Sequence, residues 1–161
     1  MTFSRAATLF GTILLTAGAA AAQTRTAKAD SPDVKEIYAY RLSMDAVQRF
    51  VTAFKAVMAD PAAKKCLESN PPGNAASLDA GEKMLNACPG APGDLRAAGI
   101  KPREFLIVTG SLFANFMAVS MKKSGMIKEY PTPISPENVA FLEQNSDKLQ
   151  TLLGPLMSQA K

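Results

Sequence analysis

Apolar residues recur at three- and four-residue steps along most of this chain, a period that predicts helices rather than strands. Met44, Val47, Phe50, Val51, Phe54, Val57 and Met58 form one apolar face, with Gln48, Arg49, Thr52 and Lys55 mostly on the other side. Ser43 stands before them as an N-cap and Asp45 complements the dipole of the first turn, so a helix is expected from Ser43 to Ala59. Asp60-Pro61 reads as the cap and first position of a shorter helix reaching about Ser69. Asn70-Pro71-Pro72-Gly73-Asn74 stops it. Ser77 caps the next helix, whose inner face is Leu78, Gly81, Leu85 and Cys88, and Pro89-Gly90-Ala91-Pro92-Gly93 ends it. Leu95 to Gly99 offers one further helical turn. Asp33 to Leu42 suits either a short extended segment or a lead-in that packs Tyr38 or Tyr40 onto the first helix; we favour the lead-in.

Phe105 to Met121 is the longest uncharged run beyond the N-terminal segment, with basic residues at both ends. Pro102 stands at an early position that tolerates it, and Gly125 fits the left-handed position after a helix end. Gly110, Ala114 and Ala118 make a row of small residues that lets a neighbour approach closely, while Phe105, Leu112, Phe116 and Val119 fill space on another side. A helix apolar nearly all round is either a core helix or a membrane span. Thr109, Gly110, Ser111, Asn115 and Ser120 favour the core helix of a soluble bundle, with no stable membrane span expected in the mature chain. Asn115 must find partners there, either to set helix register or to line a pocket. Ser135-Pro136-Glu137 opens a last helix, in which Val139, Leu142, Ser146, Leu149, Leu153 and Leu156 form the stripe, widened by Phe141 and Leu152. Gly154-Pro155 breaks or kinks it before its last turn. The expected fold is therefore all-α: a compact helical bundle around residues 102–124, with two short helices joined by a disulfide.

The N-terminus changes the domain picture. Arg5, the apolar stretch from Ala6 to Thr16 and the small residues ending Ala20-Ala21-Ala22 have the order of a secretory signal peptide. Residues 1–22 are read as that signal, 23–34 as a flexible leader and 35–161 as one helical domain. Removing the signal takes Arg5 from the 18 basic residues, set against 14 acidic ones, and leaves a net charge of +3. The basic residues are scattered apart from the doublets Lys64-Lys65 and Lys122-Lys123. No basic stripe is interleaved with aromatics, so nucleic acid is a poor partner. The charge is also too small and dispersed in sequence to argue for an anionic membrane surface.

Cys66 and Cys88 are the chain's two cysteines, and in an oxidising compartment an even pair is most simply a disulfide. A metal site would want further ligands and a cysteine nucleophile its base, and the chain has no histidine. No cofactor, metal or catalytic residue is assigned. Met44, Met58, Met84, Met117 and Met121 sit at helical spacing among apolar neighbours and are read as packing. Glu104, just ahead of the buried run, is read as a partner of the helix dipole rather than as a catalytic acid.

The run GIKPREFLIVTGSLFANFMAV (99–119), SPENVAFLEQN (135–145) and YRLSMD (40–45) resembles segments of small exported bacterial helical proteins of unknown function. The likeness spans Tyr40 to Phe54 and Gly99 to Asn145 and rests on packing residues. It implies an exported helical domain and carries over no activity or binding residue. The leading expectation is a non-enzymatic interaction or binding module of the bacterial envelope, periplasmic or secreted, with a protein partner. The alternative is a carrier of an apolar small molecule or lipid, with Phe105, Phe113, Phe116 and Met117 lining a cavity between helices.

Overall fold

The computed structural model describes residues 31–158. Along these residues run α1 (Pro32–Ala39), α2 (Met44–Ala59), α3 (Pro61–Ser69), a 3-10 turn (Pro72–Asn74), α4 (Leu78–Ala87), α5 (Ala91–Ala97), α6 (Pro102–Lys123), α7 (Pro136–Gln144) and α8 (Ser146–Ser158). The described residues contain no strand, and the fold is an all-α bundle. The expected signal segment and the leader up to residue 30 lie outside them.

Side-chain caps set most helix starts. Ser43 Oγ accepts the Ala46 N–H, Asp60 Oδ1 accepts from Ala62 and Ala63, Ser77 Oγ accepts from Ala80, and Ser135 Oγ accepts from Asn138. Each satisfies a donor that has no partner within its own helix. Gly125 ends α6 with a φ of 75°, the left-handed conformation that costs glycine little.

Three boundaries differ from expectation. Residues 32–34, read as leader, form the first turn of α1: Ser31 Oγ accepts the Val34 N–H and Pro32 takes the first helical position. The segment after Asp33 is thus helical rather than extended, and Tyr40 beyond it packs against the core. The Pro/Gly run after Cys88 does not delay the next helix, because Gly90 turns the chain at φ 84° and α5 begins at Ala91. The long C-terminal helix is interrupted at Asn145, not at Gly154-Pro155. Asn145 donates both its backbone N–H and its Nδ2 to the Phe141 carbonyl, closing α7 before α8 starts. Pro155 lies within α8.

The core is shared between α2 and α6 and is closed by α4, α5, α7 and α8. Val47, Phe50, Val51, Ala53 and Val57 of α2 meet Phe105, Val108, Leu112 and Val119 of α6, together with Leu85, Leu95, Leu142, Leu149 and Leu156. The rings of Phe50 and Phe105 lie 5.1 Å apart. Cys66 of α3 and Cys88 at the end of α4 form the expected disulfide, with Cα atoms 5.6 Å apart. The staple matters because α3 fully buries only Ala63. A joined pair of this kind fits an oxidising compartment.

By length and composition α6 is, among the described residues, the one helix able to cross a membrane. Its N-terminal half is covered by neighbours on several sides: Leu106 packs on Gly81 of α4 and Gly110 on Ile37 of α1. Its C-terminal half is covered on one side only.

Candidate functional site

The row of small residues on α6 divides. At Gly110 α1 docks so closely that an added Cβ would lie 3.1 Å from Ile37 Cδ1. One and two turns later Ala114 and Ala118 border an opening rather than a close helix contact. The opening is a groove lined also by Tyr38 of α1, Phe113, Met117 and Met121 of α6, and the connector from Ile127 through Pro131–Ile134. The connector folds back because the Met126 and Ile127 N–H groups donate to the Met121 carbonyl and the Ile134 N–H donates to Pro131. The groove holds about 300 Å³, at the small end for a ligand pocket, and its walls are mainly apolar.

Above and beside the groove the apolar side chains face solvent. Phe113 is 70% exposed, Met126 67%, Met117 46% and Phe116 38%. Isolated apolar residues on a surface are ordinary, but four large ones on a helix face and its continuation form a patch of the kind that meets a partner. The residues expected to share one cavity therefore separate. Phe113 and Met117 line the groove together, Phe116 is exposed without lining it, and Phe105 is 8% exposed in the core against Phe50. Met117, read as packing, belongs to the exposed face. Tyr38 and Met126 carry the site too; only their apolar character marked them in sequence.

Charge lies at both ends of this face. At the N-terminal end Arg103 holds Glu36 of α1 with Nε on Oε1 at 2.9 Å and Nη2 on Oε2 at 2.6 Å, and Nη1 donates to Asp79 of α4. The guanidinium keeps the Glu36 carboxyl below its ordinary value of 4.5, and the same bonds raise the pKa of Arg103. Arg49 of α2 bridges Asp45, Glu104 and the Gly99 carbonyl, and Tyr40 donates its hydroxyl to Glu104 Oε1 at 3.1 Å. Burial, then the Glu104 charge, pushes the Tyr40 hydroxyl above 10.0. Glu104 is thus tied to α2 and to the α1–α2 link. At the C-terminal end Lys122 sets its ammonium 4.2 Å from the centre of the Tyr130 ring, and Tyr130 donates to Glu143.

Beneath α6 lies a buried polar group. Asn138 of α7 accepts the Leu42 N–H at Oδ1 (2.9 Å) and donates from Nδ2 to the Tyr40 carbonyl (2.8 Å) and, more weakly, to Ser111 Oγ. Asn115 donates to the Ser111 carbonyl within its own helix, and its Oδ1 is buried with no hydrogen-bond partner among the described residues. The helix-registering role expected of Asn115 thus belongs chiefly to Asn138, one turn inside α7, where position gave no hint of it.

No group of three or more His, Cys, Asp or Glu side chains that could hold a metal occurs among the described residues. A second open depression, about 280 Å³, lies between Asn86, Arg96 and Lys101. No protein-family model matches the chain, and comparison with curated proteins and with solved structures finds no match.

Proposed function

We propose that this chain is an exported, non-enzymatic helical binding module of the bacterial cell envelope, and that the uncovered face of α6 is its working surface. One observation carries the reading: the bundle closes its core with shorter helices yet leaves Phe113 and Met117 in solvent at a groove, with Met126 exposed just past the end of α6. About half to two-thirds of each of these side chains remains in water, so each forgoes roughly 1–2 kcal/mol of burial that a bound partner would recover. The N-terminal signal pattern and the Cys66–Cys88 disulfide together support a periplasmic or secreted location.

The reading is tested by placing a photo-cross-linking amino acid at position 113 in exporting cells, with Gln150 on α8, also exposed, as the control site. Adducts formed at 113 and absent at 150 are expected. Equal or no labelling at the two positions would remove the face from the account.

The small-residue floor of the groove favours a second reading, a carrier of an apolar small molecule. A discrete added mass in native mass spectrometry, released on denaturation as an apolar compound, would favour the carrier over the module.

A further inference from the structure

We infer that the partner of this face is the anionic surface of a phospholipid bilayer, with Phe113, Phe116, Met117 and Met126 entering the acyl boundary and Lys123 and Lys128 lying among the headgroups. The inference rests on the reading of α6 as the working surface and names what that surface meets. Its argument is the distribution of charge. From Phe105 to Lys128 the only charged residues are Lys122, Lys123 and Lys128, all at the C-terminal end of the exposed stripe. These three lysines are neighbours in sequence, and they stand where the exposed apolar stripe of α6 ends. Lys122 turns toward Tyr130. Lys123 follows Phe116 by two helical turns and so continues the Phe113–Phe116 side of α6. Glu129 follows directly and Glu143 reaches the Tyr130 hydroxyl, so three lysines stand against two glutamates and the rim carries a net charge of +1.

The shape of the face points the same way. Phe113 and Met126 stand out from the surface, and the groove beside them is shallow and open. Projecting side chains need a medium that closes around them, which acyl chains do without a preformed socket. Lysine stems lie along apolar surface while their ammonium groups reach phosphate, the usual arrangement of an interfacial helix. An acidic protein segment would share the charge sign but would have to supply pockets for the projecting rings.

The chain contains no tryptophan, so Phe113→Trp installs a single fluorescent reporter on the face and Gln150→Trp a control away from it. Each variant is used as the exporting host releases it, so all carry the same N-terminus. With vesicles of equal parts phosphatidylglycerol and phosphatidylcholine, emission from position 113 should shift to the blue while that from position 150 stays put. Vesicle affinity should fall by about tenfold or more on pure phosphatidylcholine, or when Lys123→Gln and Lys128→Gln are combined. The pair Phe113→Ser and Met117→Ser should abolish co-sedimentation while the far-ultraviolet helix signal is kept. An unshifted reporter at 113, equal response to both vesicle compositions, or unchanged sedimentation of the serine pair would each overturn the inference. A reporter silent to vesicles together with a protein adduct at position 113 would discard the bilayer and leave the surface reading standing; silence in both experiments would discard both.

Discussion

Asn138 Oδ1 accepts the N–H of Leu42 at 2.9 Å, joining α7 to the link between α1 and α2 across 96 residues of chain. The same side chain donates to the Tyr40 carbonyl, so one amide satisfies both polarities of a passing backbone. Asn138→Ala should cost about 2–3 kcal/mol, because backbone groups at a buried site lose their partner. Asn138→Asp keeps the acceptor, loses the Nδ2 donor and adds a buried charge, and should cost more. Urea unfolding of the two variants checks the order.

Gly90 leaves less room for a side chain than any other glycine among the described residues, because Asp60 stands against it. Gly90 holds φ 84°, and a Cβ there would fall 1.9 Å from Asp60 Oδ2, the carboxylate that caps α3. Gly90→Ala should therefore destabilise by about 1–2 kcal/mol from backbone strain alone, and by more if the cap is displaced. Gly93→Ala, three residues on in α5 with open space around it, should be neutral or stabilising by up to about 1 kcal/mol. A melting-temperature comparison of the two variants tests the contrast.

Much of this fold could be read from the sequence, and the parts that could were local. The caps at Ser43, Asp60, Ser77 and Ser135 and the glycine at 125 act on backbone groups a few residues away, so sequence alone identifies them. Other features depend on partners distant in the chain. Whether the run after Cys88 would pause or re-enter a helix turned on the φ of Gly90. The stop at Asn145 is masked by an apolar stripe that continues through it. For the site, the apolar character of Phe105, Phe113, Phe116 and Met117 was plain, whereas their division between core, groove and open surface was not. Periodicity shows that α6 is apolar on every side; which side stays bare is decided by where the eight-residue α1 docks and ends.

Reducing the Cys66–Cys88 bond should cost about 3 kcal/mol in the chain-entropy account. Because α3 fully buries only Ala63, its amides should be the first to lose hydrogen-exchange protection on reduction, with those of α2 and α6 retained. Uniform loss across all three helices would mean that the staple holds the whole core rather than α3.

The Arg103–Glu36 pair gives the acid limb a definite sign. The Glu36 carboxyl titrates below 4.5 when folded, so the pair's contribution is complete above that value and is lost as pH falls through the lower folded value. Glu36→Gln should flatten this part of the stability–pH curve. Glu36 is 39% exposed, so added salt should shrink the difference between the two curves. A wild-type acid limb indistinguishable from that of Glu36→Gln would show that the pair adds nothing.

The central claim is that the apolar residues of α6 serve two purposes, one face for the core and one for a partner. Paired unfolding of Phe105→Ala and Phe113→Ser tests it most directly. Phe105→Ala should lose about 3–5 kcal/mol, whereas Phe113→Ser should stay within about 0.5 kcal/mol of the parent. Equal, large losses at both positions would mean that Phe113 is core, and that the surface assigned to a partner is part of the fold.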